Sequence, residues 1–214
     1  WEGSSFPNYP CLSLSLAQSA RITKIWGESE YDLYCVGTEG MILHYVSGQW
    51  TRIPSGTTTR INDAYGIRNK RTGRHELFCA VTDFFSPRDR TILRIHDFDQ
   101  VDSVAWAPGK DVTSIWSVDG SYLYASGSSV FENSSGTWRE KRLGAYTNRI
   151  RGSDWNNVFV VGDFGLVSHF NGSTWHSFFP AVLVNYNSLA VTNSRVIAVG
   201  SDGVRAFIVA GRRP

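Results

Sequence analysis

Apolar and polar positions alternate along this chain in short runs, and the runs recur as a phrase. Ile25-Trp26-Gly27 leads to Asp32-Leu33-Tyr34-Cys35-Val36-Gly37, then to Gly40-Met41-Ile42-Leu43-His44-Tyr45 and Ser47-Gly48-Gln49-Trp50. The phrase returns from Ile115-Trp116-Ser117 through Tyr122-Leu123-Tyr124-Ala125-Ser126-Gly127 to Ser135-Gly136-Thr137-Trp138. It returns again from Asn157-Val158-Phe159-Val160-Val161-Gly162 to Gly172-Ser173-Thr174-Trp175. Short alternating runs with period two describe half-buried strands. The pairs Ser47-Gly48 and Asn171-Gly172 supply the positive φ of tight hairpins between them. Aligned on the second strand, Val36, Ala80, Ser126, Val161 and Val199 stand 44, 46, 35 and 38 residues apart. That is close to the repeat of a four-stranded propeller blade. The pattern predicts an all-β chain: one five-bladed β-propeller of four-stranded antiparallel blades over residues 1–214.

The ends bear on how the ring closes. The last unit stops at Arg213-Pro214 after three strands, while the N-terminus has a spare one, Leu12-Ser13-Leu14-Ser15-Leu16, with three leucines on one face. Leu14 precedes Ile22 by eight residues, as Ile53 precedes Ile61. Residues 12–16 are therefore expected to complete the fifth blade beside residues 204–209 and close the ring, which removes free edges. The alternative is a fragment of a larger propeller.

Composition narrows the class. Hydrophobic residues make up 42% of the chain, enough for a core. No apolar run approaches the ~18 residues of a membrane-spanning helix. Lys and Arg number 21 against 19 acidic residues, a balance that gives no reason to expect nucleic acid. The start lacks a charged region followed by an apolar stretch, so no signal peptide is read, and a mature exported chain would lack one too. Cys35 and Cys79 align with Ala125, Val160 and Ala198 and read as small buried side chains rather than a bridge. Cys11 precedes the spare strand. No metal-ligand spacing, phosphate loop or cofactor motif is present, so metal and cofactor are both expected to be none.

Phe170-Asn171-Gly172-Ser173-Thr174-Trp175 resembles a degenerate Asp-box, the turn between third and fourth strands of sialidase-type propellers. The longer phrase resembles secreted bacterial propeller repeats of the Asp-box-like superfamily, which includes photosystem-assembly propellers. The resemblance implies a propeller and an exported or surface location. It implies no catalysis, because the motif is a structural turn and its Asp is replaced or missing here. Trp50, Trp138 and Trp175 are expected to start outer strands and pack between blades. Trp26 and Trp116, with Tyr65 at the same place, are expected to end inner strands as core.

Candidate function lies where the repeats disagree. The second blade carries a charged hairpin insert over residues 68–75 and a longer one, Thr82-Asp83-Phe84-Phe85-Ser86-Pro87-Arg88-Asp89-Arg90, between its second and third strands. Loops of this kind carry recognition. Propeller geometry places the Phe84–Phe85 loop on one rim with Trp106, Tyr146 and Tyr186. At the channel mouth the inner strands offer Lys24, Asp63, Ser114, Arg149 and Asn187 at one equivalent position, and Arg151 replaces the Trp26-type aromatic. Arg151 also reads simply as a salt bridge to an acid such as Asp154. His44 and His169 share a third-strand position and read as repeat residues. The chain is thus expected to bind rather than catalyse, taking a protein or a carbohydrate through Phe84, Phe85, Arg88, Trp106, Lys24, Arg149 and Arg151. The alternative is a glycoside-active propeller, which needs paired carboxylates the sequence cannot bring together.

Overall fold

The computed structural model of the chain describes residues 19–83, 86–97, 99–106, 109–178 and 183–212, with backbone alone for 86–89. They form a five-bladed β-propeller, arranged in a ring with the first strand of each blade innermost. Blade 1 comprises β1 (Ile22–Ser29), β2 (Asp32–Gly37), β3 (Ile42–Val46) and β4 (Gln49–Arg52). Blade 2 comprises β5 (Ile61–Arg68), β6 (His75–Asp83), β7 (Ser86–His96) and β8 (Gln100–Val104). Blade 3 follows with β9 (Val112–Ser117), β10 (Leu123–Gly127), β11 (Val130–Asn133) and β12 (Trp138–Lys141). Blade 4 has β13 (Thr147–Asp154), β14 (Asn157–Gly162), β15 (Val167–Phe170) and β16 (Trp175–Phe178). Blade 5 has β17 (Asn185–Val191), β18 (Arg195–Ser201) and β19 (Ala206–Arg212), in that order across a three-stranded sheet. The expected closing strand, residues 12–16, lies outside the described residues, as does Cys11.

Period two in each strand sends alternate side chains to the two neighbouring blades, so the core is a series of layers between blades. Trp26, Tyr34 and Val36 of blade 1 meet Ala64, Leu77 and Cys79 of blade 2. Similar layers join blades 2 and 3, 3 and 4, and 4 and 5. Two glycines make room for the aromatics: a Cβ on Gly66 would lie 2.3 Å from the Trp26 ring, and one on Gly152 would lie 2.7 Å from Trp116. Cys35 and Cys79 are buried thiols, as their alignment predicts. The outer-strand tryptophans are partly rather than fully buried. Trp138 packs edge-on against Trp106, and Trp175 stacks on Phe170 while its Nε1 donates to Glu132.

Every inner strand has a bulge near its start, between Ile22 and Lys24, Ile61 and Asp63, Val112 and Ser114, Thr147 and Arg149, and Tyr186 and Ser188. A bulge turns the extra residue out of the ladder. These residues then tie one blade to the next: Thr23 Oγ1 lies 2.5 Å from the Ile61 carbonyl oxygen, Thr113 Oγ1 reaches the Thr147 carbonyl, and Asn148 Nδ2 donates to the Tyr186 carbonyl. The inner strands pack in succession, β1 on β5, β5 on β9, β9 on β13 and β13 on β17. Among the described residues β17 makes no comparable contact with β1.

Candidate functional site

The bulge fixes which residues share the channel-lining position. Lys24, Asp63, Ser114, Arg149 and Ser188 pair with Val36, Ala80, Ser126, Val161 and Val199. The sequence reading placed Asn187 in this set. The bulge sits at the same place in all five inner strands, and in β17 it leaves Ser188, not Asn187, opposite Val199; Asn187 is the bulged residue, the counterpart of Thr23, Asn62, Thr113 and Asn148. Arg151 does take the place of Trp26 and Trp116, pairing with Phe159 as they pair with Tyr34 and Tyr124.

These residues converge on one carboxylate. Asp63 is wholly buried. Arg151 grips it with both terminal nitrogens, Nη1 to Oδ2 at 2.9 Å and Nη2 to Oδ1 at 2.8 Å. Arg149 Nη1 stands 2.6 Å from Oδ1. Ser114 Oγ donates to Oδ2 at 2.5 Å, and the Ile115 amide donates to the same oxygen at 3.2 Å. The salt-bridge reading of Arg151 looked to a neighbouring acid such as Asp154. Its actual partner lies 88 residues away, across blade 3. Arg151 also donates to the Ile150 carbonyl at 2.7 Å and lies over the Tyr65 ring, 5.2 Å from its centre. Both of its terminal nitrogens are thus engaged within the fold.

The electrostatics follow from burial and charge. Burial by itself would raise the Asp63 carboxyl, but the charges of Arg151 and Arg149 outweigh it. With hydrogen bonds from Arg151 and Ser114 they hold the pKa at about 2. Lys24, half-buried at the same level of blade 1, has its amine pressed below the usual range. Burial is the main cause, with Arg151 and Arg149 adding to it and Asp63 opposing. Lys24, Arg149 and Arg151 therefore share the single carboxylate of Asp63, leaving an excess of positive charge. Arg149 is the less saturated arginine: its Nε is buried with no hydrogen-bond partner among the described residues.

Of the other expected site residues, Trp106 lies among the described side chains. Trp106 is partly buried in packing, edge-on to Phe131 at 4.9 Å and to Trp138 at 4.9 Å, with Nε1 donating to the Lys110 carbonyl. Tyr186 is buried, and Tyr146 is largely covered beside Asp111 and Arg90, so neither stands out as an open rim aromatic. Phe84 and Phe85 lie outside the described residues. Arg88 falls in β7, and its side chain lies outside them. His44 and His169 serve the repeat: each lies 2.9 Å from the first residue of its second strand, Asp32 or Asn157, and stacks on Tyr34 or Phe159. Among the described residues no group of three or more His, Cys, Asp or Glu is placed to hold a metal ion. No helix among them is long and apolar enough to cross a membrane.

What the sequence could not show was the meeting of Asp63 with Arg149 and Arg151. Its traces in the sequence were the shared channel-mouth position of Asp63, Ser114 and Arg149 and the arginine standing where the repeat wants an aromatic.

No family model matches the sequence, and no curated protein is similar to it. Solved structures are. YCF48 bound to a D1 peptide superposes with a TM-score of 0.65 at 13% identity, covering 95% of this chain and 66% of that one. The WD40 propeller domain of Doa1 gives 0.68 at 12%, covering 89% and 65%. The GH74 enzyme of Niastella koreensis gives 0.66 at 12%, covering 90% and 36%. The chain thus spans about two thirds of the length of the first two. At these identities the likeness is one of fold, and it places the chain among β-propellers.

Proposed function

We propose that this propeller is a non-catalytic recognition module that binds a protein partner at its channel mouth, through an acidic group of that partner. The observation that carries this reading is the unbalanced charge: Lys24, Arg149 and Arg151 around the one carboxylate of Asp63, with Arg149 Nε buried and unsatisfied. A carboxylate entering beside Arg149 would meet a charge-assisted donor in a partly dehydrated site, where such bonds are strong. YCF48, bound to a D1 peptide, supports a peptide as the ligand class for a propeller of this shape. The Phe84–Phe85 loop and Arg88 belong to the same reading as a contact surface on the rim.

A glycoside-active propeller is the second reading, favoured by the likeness to the GH74 enzyme. Such chemistry uses two carboxyl groups at set separation, one of them kept protonated as an acid. The channel-lining position supplies one, Asp63, and its low pKa and double arginine contact suit a structural anion.

The test is a peptide array varying in acidic content, with free and amidated C-termini, read at low and physiological salt. Acidic peptides should be retained, and Lys24→Ala and Arg149→Ala should each weaken retention about tenfold or more. Equal retention by both folded variants would move the site elsewhere. Release of reducing sugar from a glycan would replace binding with hydrolysis.

A further inference from the structure

Blades 1 and 5 each present a flank that the other blades bury. Opposite Cys35, Cys79, Ala125, Val160 and Ala198 stand, in turn, Ile25, Ala64, Ile115, Ile150 and Leu189. The last four are buried against the preceding blade, whereas Ile25 is 56% exposed. Blade 5 shows the complementary face. Ala190, Ile197, Val199 and Ile208 are exposed, at the positions where blade 3 buries Trp116, Tyr124, Ser126 and Val130. These are core residues by chemistry and by register, facing open space.

A third opening lies between blades 4 and 5. A cleft of about 670 Å³ is lined by Phe159, Val167, His169, Phe178, Val196 and Val209. One blade back, the same place is filled by Trp175 of the outer strand, bonded to Glu132, which holds the register of His169. Among the described residues blade 5 has no outer strand, and β19 pairs with β18 alone.

We propose that further blades of the same design, belonging to the same polypeptide and lying outside these 214 residues, fill the ring between blade 5 and blade 1. They cover both flanks and give β19 its partner strand, with an aromatic side chain in the cleft. The occupant is argued from the fold comparison. The superpositions cover 95% and 89% of this chain but only 66% and 65% of the YCF48 and Doa1 chains. The remaining third has room for about two more units, within the four to eight blades that propellers adopt. The segment 12–16 is a weaker occupant of the cleft. On the spacing that sets Leu14 against Ile53, Cys11 takes the place of Trp50, and a thiol is too small for that volume.

The test uses the complete translation product of the gene, with the photo-crosslinking residue p-benzoylphenylalanine replacing Ile25, Ile208 or Phe178 in three separate variants. Circular dichroism establishes that each variant folds, and light scattering reports its assembly state. The expected result is a monomer in which all three sites capture peptides of the same polypeptide from outside residues 1–214. The peptides caught from positions 25 and 208 should come from different repeat units. Capture of residues 1–18, capture between two copies, or no capture at all would overturn the proposal.

Discussion

Replacing Asp63 with Asn tests whether the buried cluster holds the inner ring together. Asn keeps the shape but removes the charge, leaving Arg149 and Arg151 beside one another with a neutral acceptor and an amide donor between them. Breaking a buried ion pair by removing one partner typically costs about 3–5 kcal/mol, because the other charge stays buried and uncompensated. The pKa gives a second route to the magnitude. The Asp63 carboxyl falls from its ordinary 3.8 to about 2. At 1.36 kcal/mol per unit, that contributes roughly 2–3 kcal/mol at neutral pH. The folded pKa is depressed, so this stability is present in full above the unfolded value. It is lost as pH falls from about 4 toward 2. Urea unfolding followed by tryptophan fluorescence should show Asp63→Asn less stable by about 3–5 kcal/mol at pH 7. The variant should also lack the wild type's extra loss of stability between pH 4 and 2. A cost under about 1 kcal/mol, or an unchanged acid profile, would refute the reasoning that burial and two arginines make this carboxylate a fixed anion.

Two further expectations concern the layers between blades. Trp175→Ala should cost about 2–3 kcal/mol, below the range for a fully buried Trp because the ring is only partly covered, and it also strips Glu132 of a donor; a melting temperature equal to wild type would make Trp175 a surface platform instead. Cys79, whose thiol is pushed up first by burial and then by the charge of Asp63, should resist a disulfide-exchange reagent at pH 8 until the chain is unfolded; rapid labelling in the folded protein would contradict its place in the first interblade layer.

The strand phrase was legible because its period and its turn residues are local. Aligning Cys35 and Cys79 with Ala125, Val160 and Ala198 was enough to place the thiols in the core. The lining residue of blade 5 was off by one because Asn187 was set beside Lys24 and its counterparts, whereas Leu189, the counterpart of Ile25, Ala64, Ile115 and Ile150, puts Ser188 there. Position in a loop does not reveal which way a side chain turns, and the Trp106 ring packs edge-on against Phe131 and Trp138. Arg151 was flagged as the odd member of its set, but its partner was sought nearby in sequence. The ring brings blade 2 and blade 4 together at the channel, which no local pattern encodes.

Repeat proteins generally gain and lose structure unit by unit, because each unit touches only those beside it. The Arg151–Asp63 contact breaks that rule by running as a chord from blade 4 to blade 2 past blade 3. Peeling blade 4 away would then expose an anion two blades distant as well as its own apolar flank. Ser114 of blade 3 donates to the same carboxylate, so the middle unit cannot loosen without disturbing the units on both sides. Blades 2, 3 and 4 should therefore melt as one cooperative block. Among the five described blades, 1 and 5 lie outside this block, and partly unfolded forms would keep blades 2, 3 and 4 together.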